Sequence, residues 1–229
     1  MKFFSIIILI LTIISCKNEN RNKSLKPEIE LSKKKNTTSE FYKDNSEVKY
    51  VKDETNQTSY SQILKDLDKD GIKDSISFGQ QKEVIICKLS TNKFKPIYSQ
   101  TGLSDEMSSG IKETKNGFEF YVNHMRAGFA NQFRYEEKDK KIRLIGMSRY
   151  EFGPANNDGS GNSSVNLLTN KYIGEWHHYD LKKEKLIKMP TIKSRMYFSK
   201  IYLENYNSKS QYEYQEKCSA LYYIQKKKM

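Results

Sequence analysis

The chain has 229 residues and a formal charge of +12, with lysine well in excess of arginine and no arginine cluster. Such a surface suits solvation better than the bidentate grip on phosphate that a guanidinium supplies, so a nucleic-acid partner is excluded from the expected functions. Lys, Asn, Ile and Tyr are over-used along the whole length, which points to base composition as the source of most of the excess charge.

Lys2 gives the N-terminus a charged start, residues 3–14 form an apolar run, and Ile13-Ile14-Ser15-Cys16 follows. A run of ~12 apolar residues falls short of the ~20 that span a bilayer, so cleavage before Cys16 is expected. These residues resemble the signal and lipobox of bacterial lipoproteins. The resemblance implies that residues 1–15 are removed, that Cys16 becomes the acylated N-terminus, and that the protein sits at the cell envelope, with the outer membrane as the expected location. Losing Lys2 takes the formal charge from +12 to +11, and a basic domain on such an anchor is drawn to anionic headgroups. Residues 16–57 are rich in Lys, Asn, Ser, Thr and Glu without a sustained apolar period. They read as a lipidated, disordered tether of ~40 residues with a reach of roughly 35 Å.

From residue 58 to 229 short apolar runs alternate with turn residues, the pattern of a single all-β domain. Its first feature is Asp66-Leu67-Asp68-Lys69-Asp70-Gly71-Ile72-Lys73-Asp74. Ca2+ takes six to eight oxygen ligands, and this spacing offers the carboxylates of Asp66, Asp68, Asp70 and Asp74 and the carbonyl of Ile72, with Gly71 free to bend sharply. An EF-hand would place Glu at position 12, where this chain has Ser77, and would flank the loop with helices. Ser75-Ile76-Ser77-Phe78 instead alternates like a strand, so the loop is expected to close a β-hairpin around Ca2+. The alternative is an acidic surface turn.

Further along, residues 84–89 are nearly continuously apolar, residues 91–93 turn, and residues 94–98 return, with Pro96 marking an irregular edge. Asn116-Gly117 predicts a two-residue hairpin turn with positive φ at both positions. Phe118, Phe120 and Val122 share a face, residues 125–128 look irregular, and residues 132–135 lead through a turn to Ile142, Leu144 and Ile145. A polar loop over 153–164 precedes strands at 165–168, 172–181 and 186–189. About nine or ten strands suit an antiparallel sandwich or open barrel built as a meander of hairpins. Residues 211–225 fit either a short C-terminal helix or a last strand.

The segment 66–78 resembles one repeat of the FG-GAP and VCBS modules, in which an Asp-rich calcium loop runs straight into a strand. The likeness covers only these residues and implies a calcium site, not a propeller, which would need several copies. The loop over 156–162 is either a degenerate second cation site, with Asp158 as its single carboxylate, or a glycine-rich polar turn of the same composition.

Removing Cys16 leaves Cys87 and Cys218, either a disulfide pair in an oxidising compartment or buried thiols, since Cys87 shares the parity of Ile85 and Leu89. Strand alternation sets His178 with Trp176 and Asp180 on one face, against Glu175, His177 and Tyr179 on the other. Adjacent histidines therefore do not share a metal, and Trp176 reads as a core anchor. Gly159-Ser160-Gly161 lacks the setting of a nucleophile elbow. The chain is therefore not expected to be an enzyme. The expected function is that of a lipid-anchored, calcium-stabilised binding or scaffolding module of the envelope. Its open face and the loop around residues 156–164 would meet a glycan or another envelope protein. The alternative is a periplasmic inhibitor or immunity-type protein that blocks an acidic hydrolase.

Overall fold

The computed structural model describes residues 49–52, 59–104 and 108–229, all within the unit Asp44–Met229. The expected signal at 1–15, the acylation site Cys16 and most of the expected tether lie outside the described residues. The fold is antiparallel β with one C-terminal helix, in two separate sheets rather than a closed barrel.

The first sheet is a five-stranded meander of β1 (Lys49–Lys52), β2 (Ser59–Lys65), β3 (Asp74–Gly79), β4 (Val84–Lys88) and β5 (Pro96–Tyr98). β1 lies inside the stretch read as tether, and its pairing with β2, Tyr50 opposite Ser61, carries the sheet upstream of residue 58. The return strand expected over 94–98 shrinks to three residues, because Lys93 and Phe94 both take positive φ and spend the start of the run on the turn.

The second sheet runs β6 (Ser109–Thr114), β7 (Gly117–Asn123), β8 (Ala127–Glu136), β9 (Lys141–Glu151), β10 (Gly161–Asn166), β11 (Lys171–Asp180) and β12 (Lys185–Lys188). β13 (Ile192–Arg195) comes back to pair with the first half of β11, while β12 pairs with its second half. The described residues thus form thirteen strands rather than nine or ten. The extra ones include β13, in a tail that looked irregular. Two other segments are simply longer than expected: β8 absorbs Ala127 and Gly128, and β10 begins inside the expected loop.

The hairpin expected at Asn116-Gly117 is shifted by one residue. Thr114 pairs with Gly117, so Lys115 and Asn116 make the turn, and neither has positive φ. Gly117 is required for another reason. A Cβ there would lie 2.0 Å from the Phe133 carbonyl oxygen on the neighbouring strand.

One core joins the two sheets. Ile63, Ile76, Phe78, Ile85 and Cys87 of the first sheet meet Ile111, Phe118, Phe120 and Phe133 of the second, and the Phe78 and Phe120 rings lie 5.0 Å apart. The chain beyond β13 covers the same inner face. Tyr206, fully buried after the short 3-10 turn Leu203–Asn205, sets its ring edge-on to Phe133 at 5.0 Å. Helix α1 (Lys209–Lys226) then packs Tyr214, Cys218 and Tyr222 over the β10–β11 side, where the Tyr214 hydroxyl lies 2.8 Å from Ser163 Oγ. Of the two readings of the tail, the helix is the one observed. Among the described residues no helix is long and apolar enough to cross a membrane.

Candidate metal centre

The acidic segment is the loop between β2 and β3, closed by the pairing of Lys65 with Asp74. Lys69 (φ 63°) and Gly71 (φ 88°) occupy the left-handed region, and the second is the position where glycine carries no steric cost. This bend turns the carboxylates of Asp66 and Asp68 back toward Asp74, at the start of β3. Oxygen atoms of Asp66, Asp68 and Asp74 all lie within 4.8 Å of one another.

Asp74 is fully buried. Its Oδ2 accepts the Leu67 N–H and its Oδ1 the Ser90 N–H, both at 2.8 Å. Asp66 Oδ2 accepts the Gly71 N–H at 3.0 Å, and Asp68 Oδ2 accepts the Thr91 hydroxyl. The other oxygen of each, Asp66 Oδ1 and Asp68 Oδ1, is buried and has no hydrogen-bond partner among the described residues. Among the described residues, none of the three carboxylates is paired with a cation, since Lys65 goes to Glu113 and Lys69 to Glu137. At an effective dielectric of ~20, like charges this far apart repel by about 3.5 kcal/mol per pair.

One of the expected ligands lies outside this group. Asp70 is not part of the cluster: its Oδ1 accepts the Ile72 N–H at 2.8 Å and its Oδ2 the Ser90 hydroxyl at 2.6 Å, so it braces the loop. Ile72 takes part through that N–H, and its side chain is exposed. What the sequence did not disclose is the contribution of Ser90 and Thr91 in the β4–β5 turn. Pairing of Ser75 with Lys88 places them beside the acidic loop. Nearby on β8, the Tyr135 phenol is pushed up by burial and then by the charge of Asp68.

The remaining site residues separate. Cys87 and Cys218 are both free and buried, so the disulfide does not form and the buried-thiol alternative is what the structure shows. Burial, and after it the charges of Asp74 and Asp68, push the Cys87 thiol far up. Cys218 lies on α1, its sulfur 3.4 Å from Ser163 Oγ. Asp158 is committed to structure: it accepts the Tyr179 N–H at 2.7 Å, the Tyr222 hydroxyl at 3.1 Å and the Lys226 ammonium at 2.9 Å. A lysine thus stands where a second cation site was considered. His177 Nδ1 lies 3.4 Å from the Ser160 carbonyl; burial alternates over the first part of β11, with Tyr172 and Trp176 inward, whereas His177, His178, Tyr179 and Asp180 are all half-buried, so the expected two-face division does not show there.

The Tyr121 and Tyr150 side chains crowd Gly110 and Gly128: a Cβ on Gly110 would lie 2.9 Å from the Tyr121 hydroxyl oxygen, and one on Gly128 2.4 Å from the Tyr150 ring. Fold and site together define a two-sheet antiparallel domain with a three-carboxylate loop on its smaller sheet. Comparison with protein-family models, with curated proteins and with solved structures finds no match to this chain.

Proposed function

We propose that the chain is an exported, lipid-anchored binding module of the cell envelope whose β domain is held together by one Ca2+. The observation that carries the reading is the pair of buried, unpartnered oxygens, Asp66 Oδ1 and Asp68 Oδ1, beside the Asp74 carboxylate. An all-oxygen, all-carboxylate set calls for a hard cation, and the ladder of alternate acidic residues is the arrangement Ca2+ favours. Asp66, Asp68 and Asp74 would hold the ion. The bound cation neutralises the cluster and ties the β2–β3 loop to the β4–β5 turn.

The address rests on the lipobox-like Ile13-Ile14-Ser15-Cys16, with Cys16 as the acylated residue and the outer membrane as the expected location. Partners belong to the envelope, a glycan or another protein. The role is binding rather than catalysis, and Cys87, held as a thiol in the core, is no nucleophile.

Calorimetric titration of the purified protein with CaCl2 tests the metal. One ion should bind, and at a hundredfold excess over Kd it should add about 2.7 kcal/mol, or roughly 5–10 °C in Tm, removable by chelator. Asp66→Asn with Asp68→Asn should abolish uptake, whereas Asp70→Asn should retain it. A protein whose Tm ignores both calcium and chelator would refute the metal.

A further inference from the structure

The inner face of the second sheet, where α1 crosses it, contains a cavity of about 280 Å³. Its lining includes Arg149, Glu151, Asp158, Trp176, Tyr222 and Tyr223. Arg149 projects from β9 into this region with only 4% of its side chain exposed. Its guanidinium lies 5.5 Å from the centre of the Trp176 ring and 5.8 Å from that of Phe129. Its Nε is buried and has no hydrogen-bond partner among the described residues. One carboxylate, Glu151, reaches it through Nη2, and that side chain is itself 37% exposed.

A guanidinium has five N–H donors in a fixed fork. Burying that charge is costly unless excellent geometry and further hydrogen bonds compensate it, and one half-exposed partner on a single nitrogen does not meet that condition. Arg149 is among the residues that line the cavity, so this incompletely paired guanidinium stands at its wall.

We infer that this cavity is a binding site for a small carboxylate with an apolar body, gripped by Arg149 and seated against Trp176, Tyr222 and Tyr223. Glu151 holds the guanidinium until the ligand carboxylate displaces it into solvent, which its exposure allows. The charges of the lining choose the ligand. Glu151 and Asp158 both contribute negative charge, and Asp158 is already neutralised by Lys226, so a monoanion is tolerated where a phosphate dianion is repelled. Cys218, also in the lining, adds no charge, because burial pushes its thiol up. The volume lies just under the ~300 Å³ at which drug-sized pockets begin, which limits the body to about one ring.

This deepens the binding-module reading and rests on it for the existence of a ligand, but it does not depend on the metal. Trp176 is the single tryptophan of the chain and reports directly on the cavity. Titrating the full chain with benzoate should change its fluorescence saturably, while benzamide, uncharged and of the same shape, and inorganic phosphate should not. Glu151→Gln should tighten benzoate about tenfold by removing the internal competitor, and Arg149→Gln should abolish the response. Should Arg149→Gln not fold, Glu151→Gln on its partly exposed site decides alone. Equal responses to benzoate and benzamide, a response to phosphate, or unchanged or weaker benzoate binding in Glu151→Gln would overturn the inference. A protein that takes up Ca2+ but not benzoate loses this site and keeps the metal; the converse result does the reverse.

Discussion

Asp158 shows how one side chain is committed by its neighbours. Burial raises its carboxyl, but the Tyr179 N–H, Lys226 and the Tyr222 hydroxyl outweigh that effect and leave its pKa below the usual carboxylate value. Lys226 shifts upward, the Asp158 contacts overcoming the opposing effect of burial. A carboxylate with a depressed folded pKa stabilises at pH above its unfolded value and loses that contribution as pH falls through the folded one; for lysine with a raised pKa the loss comes as pH rises through its folded value. Asp158→Asn should therefore cost about 1–2 kcal/mol at pH 7, and the Tm curves of variant and parent should converge in acid below pH ~4. Of the acidic residues in the β2–β3 loop, Asp66, Asp68 and Asp74 come together. Asp70 could not be separated from them, because its partner, Ser90, is twenty residues away and reaches it only through the strand register.

At the scale of the element, the strands were legible and the helix was not. β7 reads Phe118-Glu119-Phe120-Tyr121-Val122, and its inward parity is visible in the letters alone. Helix α1 buries Ser210, Tyr214, Cys218 and Tyr222, a four-residue spacing made of residues that do not register as an apolar stripe. Part of its hold on the sheet is polar: Tyr214→Phe, which deletes the hydroxyl facing Ser163 Oγ, should cost about 1 kcal/mol in chemical denaturation. The hairpin glycine carries a similar lesson. Asn116-Gly117 suggested positive φ, yet Gly117 is held by contact with the next strand, so Gly117→Ala should disturb the β7–β8 pairing and lower Tm by several degrees. Sequence offers no sign of such a clash, which exists only once Phe133 lies alongside.

For the molecule as a whole, the all-β class, the meander of antiparallel hairpins and the buried location of Cys87 followed from alternation and turn chemistry. The division into two sheets did not, because each hairpin looks the same whether its neighbour continues the sheet or starts another. The cysteines give a whole-molecule test. With both thiols buried and shifted upward, Ellman's reagent should find two of them only after unfolding. Dithiothreitol should leave the Tm of the folded domain unchanged.

Within each sheet, every strand up to β12 lies beside the one that immediately precedes it in the chain. A polypeptide emerging N-terminus first can therefore zip each new strand onto one already formed, with no wait for distant segments. The acidic loop is complete once the β4–β5 turn has emerged. The helix that roofs the arginine cavity comes last, so in a nascent chain the carboxylate cluster is complete well before that cavity is.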